Sequence, residues 1–176
     1  LATFVILTFV MVALLGATYY FIRRDFATRQ RYNEELRSER TLMRTMIDVL
    51  PDNIYVKDIT GHFILVNRAQ ANLLGKATPD EVIGKSDFDF FPEMLAKQYL
   101  ADEQAIIKTG EALLNHEEPS ISVDGREIVY MTTKVPMHDA NGVINRIVGI
   151  SHDITDRKRA EEEIALLNDD LQRQKA

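Results

Sequence analysis

The sequence predicts an α+β domain, with a five-stranded antiparallel sheet and helices on one face, between two helical arms and behind a transmembrane helix. The predicted order is two strands, three helices and then three strands, which fits such a sheet. An uncharged stretch opens the chain, and two stretches free of glycine and proline enclose its middle. We therefore expect a transmembrane helix at 1–22, a juxtamembrane helix at 23–50, a domain at 51–155 and a linker helix at 156–176.

The first 22 residues contain no charged side chain. As a helix they would reach ~33 Å, enough to cross a hydrocarbon core of ~30 Å. Arg23, Arg24, Arg29 and Arg31 follow against only Asp25, and the positive-inside rule then places the C-terminal side in the cytoplasm. A cleaved signal peptide is the alternative, but the charges follow the apolar run instead of preceding it. Since the chain begins with leucine, we also expect sequence upstream.

Apolar residues recur at heptad spacing in both arms. The first arm carries Tyr32, Leu36, Met43, Met46 and Leu50, and the second carries Ala160, Ile164, Leu167 and Leu171. Each seam covers only two or three heptads, so an ordinary amphipathic helix packed on its own domain stays open for each. Seams at both ends favour coiled-coil-like arms that pair two chains in a parallel homodimer.

The middle of the chain begins with a predicted hairpin. Strands at 53–56 and 62–66 flank the turn Asp58–Gly61, where glycine supplies a positive φ. A short helix at 68–74 follows the N-cap Asn67. A capping box at Thr78–Glu81 predicts a second helix that ends near Gly84, and a longer third helix spans 92–108.

Three strands are expected next, at 113–120, 127–137 and 143–151. The last two are joined by the turn 139–142. Both faces of these two strands read as largely apolar, which indicates a sheet covered on both sides.

Composition excludes several kinds of chemistry. The chain lacks cysteine, which rules out disulfides, thiolate metal sites and thiol nucleophiles. Its net charge of −6 gives no basic surface for nucleic acid. No two of its histidines stand at metal-ligand spacing, so no metal site is predicted. The Gly84-Lys85-Ser86 run has Pro79 where a phosphate-binding loop needs glycine, and no catalytic residue is predicted.

Several motifs together resemble one family. They are the lead-in 46–52, the run Tyr55–Gly61, Asn67-Arg68-Ala69, Leu74-Gly75, the block 82–85, the stretch Asp87–Pro92 and the closing segment 148–158. In this order they are similar to the PAS sensor domain (PAS/PAC, S-box), over roughly residues 46–157. The architecture resembles that of bacterial membrane-bound sensor histidine kinases and diguanylate cyclases.

The resemblance implies a core that can enclose a small-molecule ligand. The candidate lining residues are Ile54, Phe63, Leu65, Leu74, Phe88, Phe91, Leu95, Tyr99, Ile106, Tyr130 and Ile150. The alternative is that these side chains simply fill the core. Haem is not expected, because the central helix lacks the histidine that haem-binding PAS proteins use. Flavin photochemistry is not expected either, because the chain has no cysteine to form the adduct.

The closing Asp-x-Thr signature of the family is Asp153 and Thr155 here. Both side chains can accept hydrogen bonds from the free N–H groups of the following helix. A plain helix cap is the simplest interpretation, and it is compatible with a role in passing movement of the sheet to the tail helix. We hypothesise that these two residues couple the domain to that helix.

The function expected from these features is sensing and signal relay. The chain would be a membrane-anchored, dimerising PAS module on the cytoplasmic side of the bacterial inner membrane. It would be the input part of a sensor histidine kinase, with an effector domain beyond 176. The alternatives are the input part of a diguanylate cyclase, or an interaction protein without catalytic output.

Overall fold

The computed structural model describes the backbone of residues 2–122 and 125–173, and the side chains of these residues apart from 2–10, 12–15 and 17. One long helix, α1 (Ala2–Val49), comes first. The chain divides into two compact units, residues 1–45 and 46–176, of which the second holds the sheet.

The predicted transmembrane segment falls largely on residues whose side chains lie outside the described part. Where the side chains are described, no helix is both long enough and apolar enough to cross a membrane. The arm that follows is helical up to Val49, and Tyr32, Met43 and Met46 of its predicted seam are exposed. Pairing of the arms stays a prediction.

The second unit is an antiparallel five-stranded sheet with strand order β2-β1-β5-β4-β3. The strands are β1 (Asn53–Asp58), β2 (Phe63–Val66), β3 (Leu113–Ile121), β4 (Glu127–His138) and β5 (Ile144–Asp153). The helices are α2 (Arg68–Leu73) and α3 (Glu93–Thr109) between β2 and β3, and α4 (Thr155–Arg173) after β5. This arrangement confirms the predicted α+β class.

The asparagine before α2 ties three segments together. The Asn67 Oδ1 atom accepts hydrogen bonds from the backbone N–H groups of Ile54 (3.1 Å) and Gln70 (3.0 Å). Its Nδ2 atom donates to the carbonyl oxygens of Ile47 (2.9 Å) and Asp52 (2.8 Å). Because Asn67 is fully buried, these bonds fix the entry to β1 against the start of α2.

The predicted helix at 78–84 is only a short 3₁₀ turn, Pro79–Glu81, although the capping box is present. A second 3₁₀ turn, Asp87–Asp89, was not predicted, and Asp89 closes its capping box with Ser86. Gly84, with a positive φ of 79°, follows the first turn and prevents it from continuing as a helix. The longer helix α3 then begins after Pro92.

The two faces of the sheet differ in polarity. Asn53, Tyr55 and Lys57 of β1 point inward, in register with Ser151, Gly149 and Ile147 of β5. The expectation of largely apolar character on both faces is wrong for the inner one. On β4 that face carries Tyr130, Thr132 and Lys134, all buried. An apolar cluster adjoins this face and shares Tyr55 with it; the cluster comprises Tyr55, Phe63, Val66, Ala71, Leu74 and Val82.

Candidate functional site

A small internal cavity lies against the inner face of the sheet. Its volume, counted as the space that the centre of a water molecule can occupy, is about 40 Å³. Its walls are residues of all five strands, closed by α2, α3 and the segment before α3. They comprise Asn53, Tyr55, Lys57, Phe63, Gln70, Leu73, Asp87, Phe91, Tyr99, Glu118, Ser120, Tyr130, Lys134 and Ser151.

Lys57 is the first of two buried cations in this wall. Its side chain is 2% exposed, and its Nζ atom pairs with Asp87 and, at 2.6 Å, with Glu103 Oε1. The ammonium also lies 4.7 Å from the ring centroid of Phe63. Burial would lower the pKa of Lys57, but the two carboxylates outweigh it and raise that pKa above its ordinary value. Lys57 is therefore held as a cation.

Lys134 is the second buried cation. Its Nζ atom donates to Glu118 Oε1 at 2.7 Å and lies 3.6 Å from Asp102 Oδ2. It also lies 5.2 Å from the ring centroid of Tyr99, whose hydroxyl donates to the Pro119 carbonyl at 3.0 Å. Burial raises the pKa of Tyr99 to about 12, so this phenol stays protonated.

The carboxylates around the two lysines outnumber them. Asp87, Glu103, Glu118 and Asp102 face two ammonium groups. Asp102 Oδ2 and Glu103 Oε2 are the buried side-chain oxygens without a hydrogen-bond partner in the described chain. Burial raises the pKa of Glu103 despite the nearby Lys57, which lowers it by a smaller amount. The interior therefore has a surplus of negative charge, which protonation of Glu103 reduces.

The sequence-predicted pocket residues separate into three groups. Four of them line the cavity: Phe63, Phe91, Tyr99 and Tyr130. Four more are buried but contribute no wall: Ile54, Leu74, Leu95 and Ile106. The remaining three do not line it either: Leu65, Phe88 and Ile150.

Strand direction explains the last group. Ile150 is 43% exposed because it pairs with Ile54 on the outer face of the sheet, as Leu65 pairs with Val56. Phe88 is 47% exposed because the 3₁₀ turn directs its neighbour Asp87 inward instead.

The sequence analysis did not predict the polar residues of the cavity wall. The sequence carries a usable signal for two of them, because Lys57 shares the parity of Tyr55 and Lys134 shares the parity of Tyr130. Two lysines in phase with inward tyrosines predict buried charge, and the acids Asp87 and Glu118 are then the partners to seek. Their pairing with these lysines depends on tertiary contacts that sequence spacing does not give.

The strand-to-helix joint brings Asp153 and Thr155 together. Asp153 Oδ1 accepts hydrogen bonds from the Thr155 N–H (2.9 Å) and hydroxyl (2.5 Å). The Thr155 hydroxyl oxygen accepts from the Val129 N–H at 3.0 Å, and the Ile154 N–H donates to the Val129 carbonyl at 2.9 Å. Asp153 thus caps α4 as expected, whereas Thr155 binds β4 and not the helix.

An open groove of about 640 Å³ lies beside this joint and shares wall residues with the cavity. Asn53, Leu73 and Tyr130 line both spaces, and Asp153 lines the groove. Tyr130 also stands opposite Asp153 in the β4–β5 register. Burial raises the pKa of the Tyr130 hydroxyl, while its hydrogen bond to Asn53 lowers it by less. Tyr130 and Asn53 therefore stand between the cavity and the joint.

In the described ranges, no group of three or more His, Cys, Asp or Glu side chains is placed to hold a metal ion. The expectations against haem and flavin stay predictions.

Comparison with known proteins identifies the fold. The family model described as "PAS fold" matches residues 47–159, more than half of the chain. The chain is 29% identical over 133 residues to the methanogenesis regulatory histidine kinase FilI of Methanothrix harundinacea, covering 76% of this chain and 15% of that protein. It is 26% identical over 125 residues to a diguanylate cyclase of Vibrio cholerae, covering 70% and 39%. The chain thus spans a minor part of either relative.

Solved structures give the same result. The PAS domain of Bordetella pertussis BvgS matches with a TM-score of 0.54 and 25% identity, covering 76% of this chain and 98% of that one. The Vibrio cholerae VqmA dimer, described as a LuxR-type receptor with a target DNA, matches with a TM-score of 0.60 and 24% identity, covering 66% and 52%. At that identity the second likeness shows the fold alone.

Proposed function

We propose, from the premise that this chain belongs to the PAS fold family, that it is a sensing and relay module whose output element is α4. The family domain ends at residue 159, inside that helix. The relatives with the same domain include a histidine kinase and a diguanylate cyclase. A change within the sheet would bias the position or the order of α4, and with it an effector beyond the helix.

The Thr155 hydroxyl is the observation that carries this proposal. It holds Asp153 on one side and the Val129 N–H on the other, so one side chain joins β4, β5 and the first turn of α4. A shift of β4 against β5 would break one of these bonds. Tyr130, next to Val129, places the cavity one residue from this joint.

The protein that carries this module is proposed to be a sensor histidine kinase, with a diguanylate cyclase as the alternative. A histidine kinase would incorporate phosphate from ATP in an acid-labile form. A cyclase would convert GTP to cyclic di-GMP without incorporation. Measuring both with the purified full-length protein separates the two, and neither activity would leave an interaction protein without catalytic output.

Attachment to the bacterial inner membrane is proposed from the sequence. The uncharged run at 1–22 and the arginines directly after it support a membrane anchor, with the PAS domain on the cytoplasmic side. The proposed partners are the bilayer, a second copy of the chain paired through the arms, and an effector domain. No nucleic acid is proposed as a partner, because the chain is acidic.

The relay is tested at the joint by hydrogen exchange of the α4 amides. Thr155→Ala removes the hydroxyl that binds both strands, so the first turn of α4 is expected to exchange about tenfold faster, equivalent to ~1.4 kcal/mol. Asp153→Ala should act alike. Thr155→Ser keeps the hydroxyl and is expected to exchange like wild type. Asp156→Ala, at a fully exposed acid one residue on, is the matched control.

Signal output is measured on the same variants in the full-length protein. Loss of ligand- or membrane-dependent regulation in Thr155→Ala, with regulation retained in Thr155→Ser, is the expected result. Unchanged regulation and unchanged α4 exchange in both Asp153→Ala and Thr155→Ala would contradict the relay.

A further inference from the structure

The part of α1 just after the uncharged run exposes both aromatic and cationic side chains. The aromatic ones are 59–63% exposed and comprise Tyr19, Tyr20, Phe21 and Phe26. Four arginines and one aspartate lie within residues 23–31, so this short stretch carries a net charge of +3, whereas the whole chain carries −6. A local concentration of positive charge attracts an anionic partner.

The four arginines differ in the partners that they already have. Arg29 is paired with Asp25 at 2.9 Å, so its charge is matched within the helix. Arg23 keeps its charge, but its Nε atom donates to the hydroxyl of the tyrosine one turn earlier at 2.9 Å. Arg24 and Arg31 have no ion pair and no side-chain hydrogen bond to any residue that the structure describes. These two guanidinium groups are therefore available to a partner.

Arg24 and Arg31 also share one face of the helix. They are seven residues apart, so their directions differ by only ~20° and their positions by ~10 Å along the axis. Tyr20 precedes Arg24 by one turn on the same face, and all three side chains are exposed. We call these three residues the arginine face.

The place of the arginine face in the chain indicates a lipid as its partner. The face begins where the uncharged run 1–22 ends. At ~1.5 Å per residue, Arg24 lies ~3 Å and Arg31 ~14 Å beyond that run. The headgroup layer on one side of a bilayer is ~5–8 Å thick, and a long cationic side chain can extend back toward it. Both guanidinium groups can therefore reach the lipid phosphates, and Tyr20 suits the membrane–water interface.

We infer that the arginine face binds the headgroups of anionic phospholipids. A guanidinium group can donate two parallel hydrogen bonds to one phosphate. Phosphatidylcholine carries a cation beside its phosphate, so a headgroup with net negative charge is the better match for two unpaired arginines. The content of anionic lipid would then set how firmly the start of the juxtamembrane helix is held at the bilayer. This inference deepens the proposed membrane attachment and rests on it for the depth of α1.

Labelled lipids test the inference on the full chain. The chain is placed in phosphatidylcholine nanodiscs that contain a trace of spin-labelled phosphatidylglycerol or spin-labelled phosphatidylcholine. Broadening of the backbone amide NMR signals of residues 20–31 gives the relative association of each labelled lipid. Phosphatidylglycerol is expected to associate at least ~5-fold more strongly at low salt. The preference should decrease as ionic strength rises from about 0.05 M to about 0.5 M, because salt screens exposed charges.

Two double variants with the same change of charge locate the binding surface. Arg24→Gln with Arg31→Gln should reduce the preference for phosphatidylglycerol to less than ~2-fold. Arg37→Gln with Arg40→Gln, at exposed positions further along α1, should leave it unchanged, because these arginines lie more than a Debye length of ~8 Å beyond the headgroups. Arg24→Lys with Arg31→Lys keeps the charge but loses the paired donors, so part of the preference should remain. The amide spectrum checks the fold of each variant.

Four outcomes would overturn the inference. They are equal association of the two lipids, a preference that high salt leaves unchanged, displacement of the lipid by inorganic phosphate at matched ionic strength, and an equal loss in both glutamine double variants.

The membrane attachment is judged separately, by alkaline carbonate extraction of vesicles that carry the chain. If the chain stays in the vesicles but prefers neither lipid, the arginine face fails and the attachment stands. If carbonate removes the chain, the attachment through residues 1–22 fails. The arginine face still stands in that case if the chain sediments with phosphatidylglycerol vesicles and needs Arg24 and Arg31 to do so.

Discussion

The buried Lys57 makes the sharpest prediction about stability. Lys57→Met keeps much of the side-chain volume but removes the one cation that pairs with Asp87 and Glu103. The two partner side chains are 7% and 2% exposed, so water cannot replace the ammonium group. Removing one partner of a buried ion pair costs about 3–5 kcal/mol. Because two carboxylates lose their partner, we expect the upper part of that range, a large share of the ~5–15 kcal/mol of a typical domain.

The assay is urea unfolding of the full chain, followed through the amide NMR signals of β1 and β5. These signals report the sheet and not the long helix α1. Lys97→Met is the matched control, because Lys97 pairs with Glu93 at 2.6 Å while both side chains are about 70% exposed. Exposed pairs of this kind contribute about 0–1 kcal/mol. We therefore expect a difference of at least about 2 kcal/mol between the two variants.

The cost of Lys57→Met should depend on pH. Burial raises the pKa of Glu103 even in wild type, so its contribution to stability is fully present below its ordinary pKa of 4.5 and is lost as pH rises through the raised value. Without Lys57 that pKa rises further. The variant should therefore recover part of its lost stability between pH 8 and pH 5. The raised pKa of Lys57 has no effect in this window, because the lysine stays protonated throughout.

A destabilisation by Lys57→Met no larger than that by Lys97→Met would refute this account of the interior. A cost that grew as pH fell from 8 to 5 would refute the electrostatic part. In the first case the two carboxylates would have to reach water without Lys57, and the cavity wall would then differ from the one described.

Three further predictions concern packing. Asn67→Ala should destabilise by about 2–4 kcal/mol in urea unfolding, because the four hydrogen bonds of a buried side chain are lost, and Asn67→Asp should recover part of this stability through its retained acceptor. Gly149→Ala places its Cβ inside the Tyr55 ring and should cost more than about 2 kcal/mol, read as a lower midpoint of thermal unfolding. Phe63→Ala, at a buried ring, should cost about 3–5 kcal/mol, and Phe88→Ala, at a half-exposed ring, less than ~1.5 kcal/mol.

A control variant or comparison tests the physical reason behind each of these three predictions. Equal stability of Asn67→Ala and Asn67→Asp would mean that the acceptor bonds contribute nothing. Gly84→Ala tests backbone strain alone, because its Cβ meets open space at a φ of 79°, and should cost about 1 kcal/mol. A Gly149→Ala variant no less stable than Gly84→Ala would disprove the contact with Tyr55. Equal losses of stability in Phe63→Ala and Phe88→Ala would mean that Phe88 packs in the core.

The order of elements could be predicted because each depends on local signals. The turn at Asp58–Gly61 and the cap Asn67 use short-range hydrogen bonds that leave a mark in sequence. The helix predicted at 78–84 does not form, and the reason is also local, because a single 3₁₀ turn satisfies its capping box. A capping box marks where a helical turn begins and carries no information on its length.

The cavity could be predicted only in part, because the inner face is the more polar one. Tyr99 and Tyr130 could be predicted as lining residues because they are large aromatic side chains. The apolar character of Ile150 predicts an inward position, but Ile150 faces outward. The rule that apolar residues face inward holds when the interior excludes charge. Here Lys57 and Lys134 are buried through partners distant in sequence, so parity relative to the tyrosines was the better guide.

Stability does not explain an interior of this kind. Buried ion networks can often be replaced by apolar side chains of similar volume with no loss of stability. The Asp102 Oδ2 and Glu103 Oε2 atoms, buried without a hydrogen-bond partner in the described chain, add a further cost that apolar side chains would avoid. Local rules of packing are broken mainly where a protein binds or reacts. The two lysines and the surplus carboxylates lie around one cavity close to Tyr130 and the α4 joint, so the proposed sensing role accounts for their retention better than folding does.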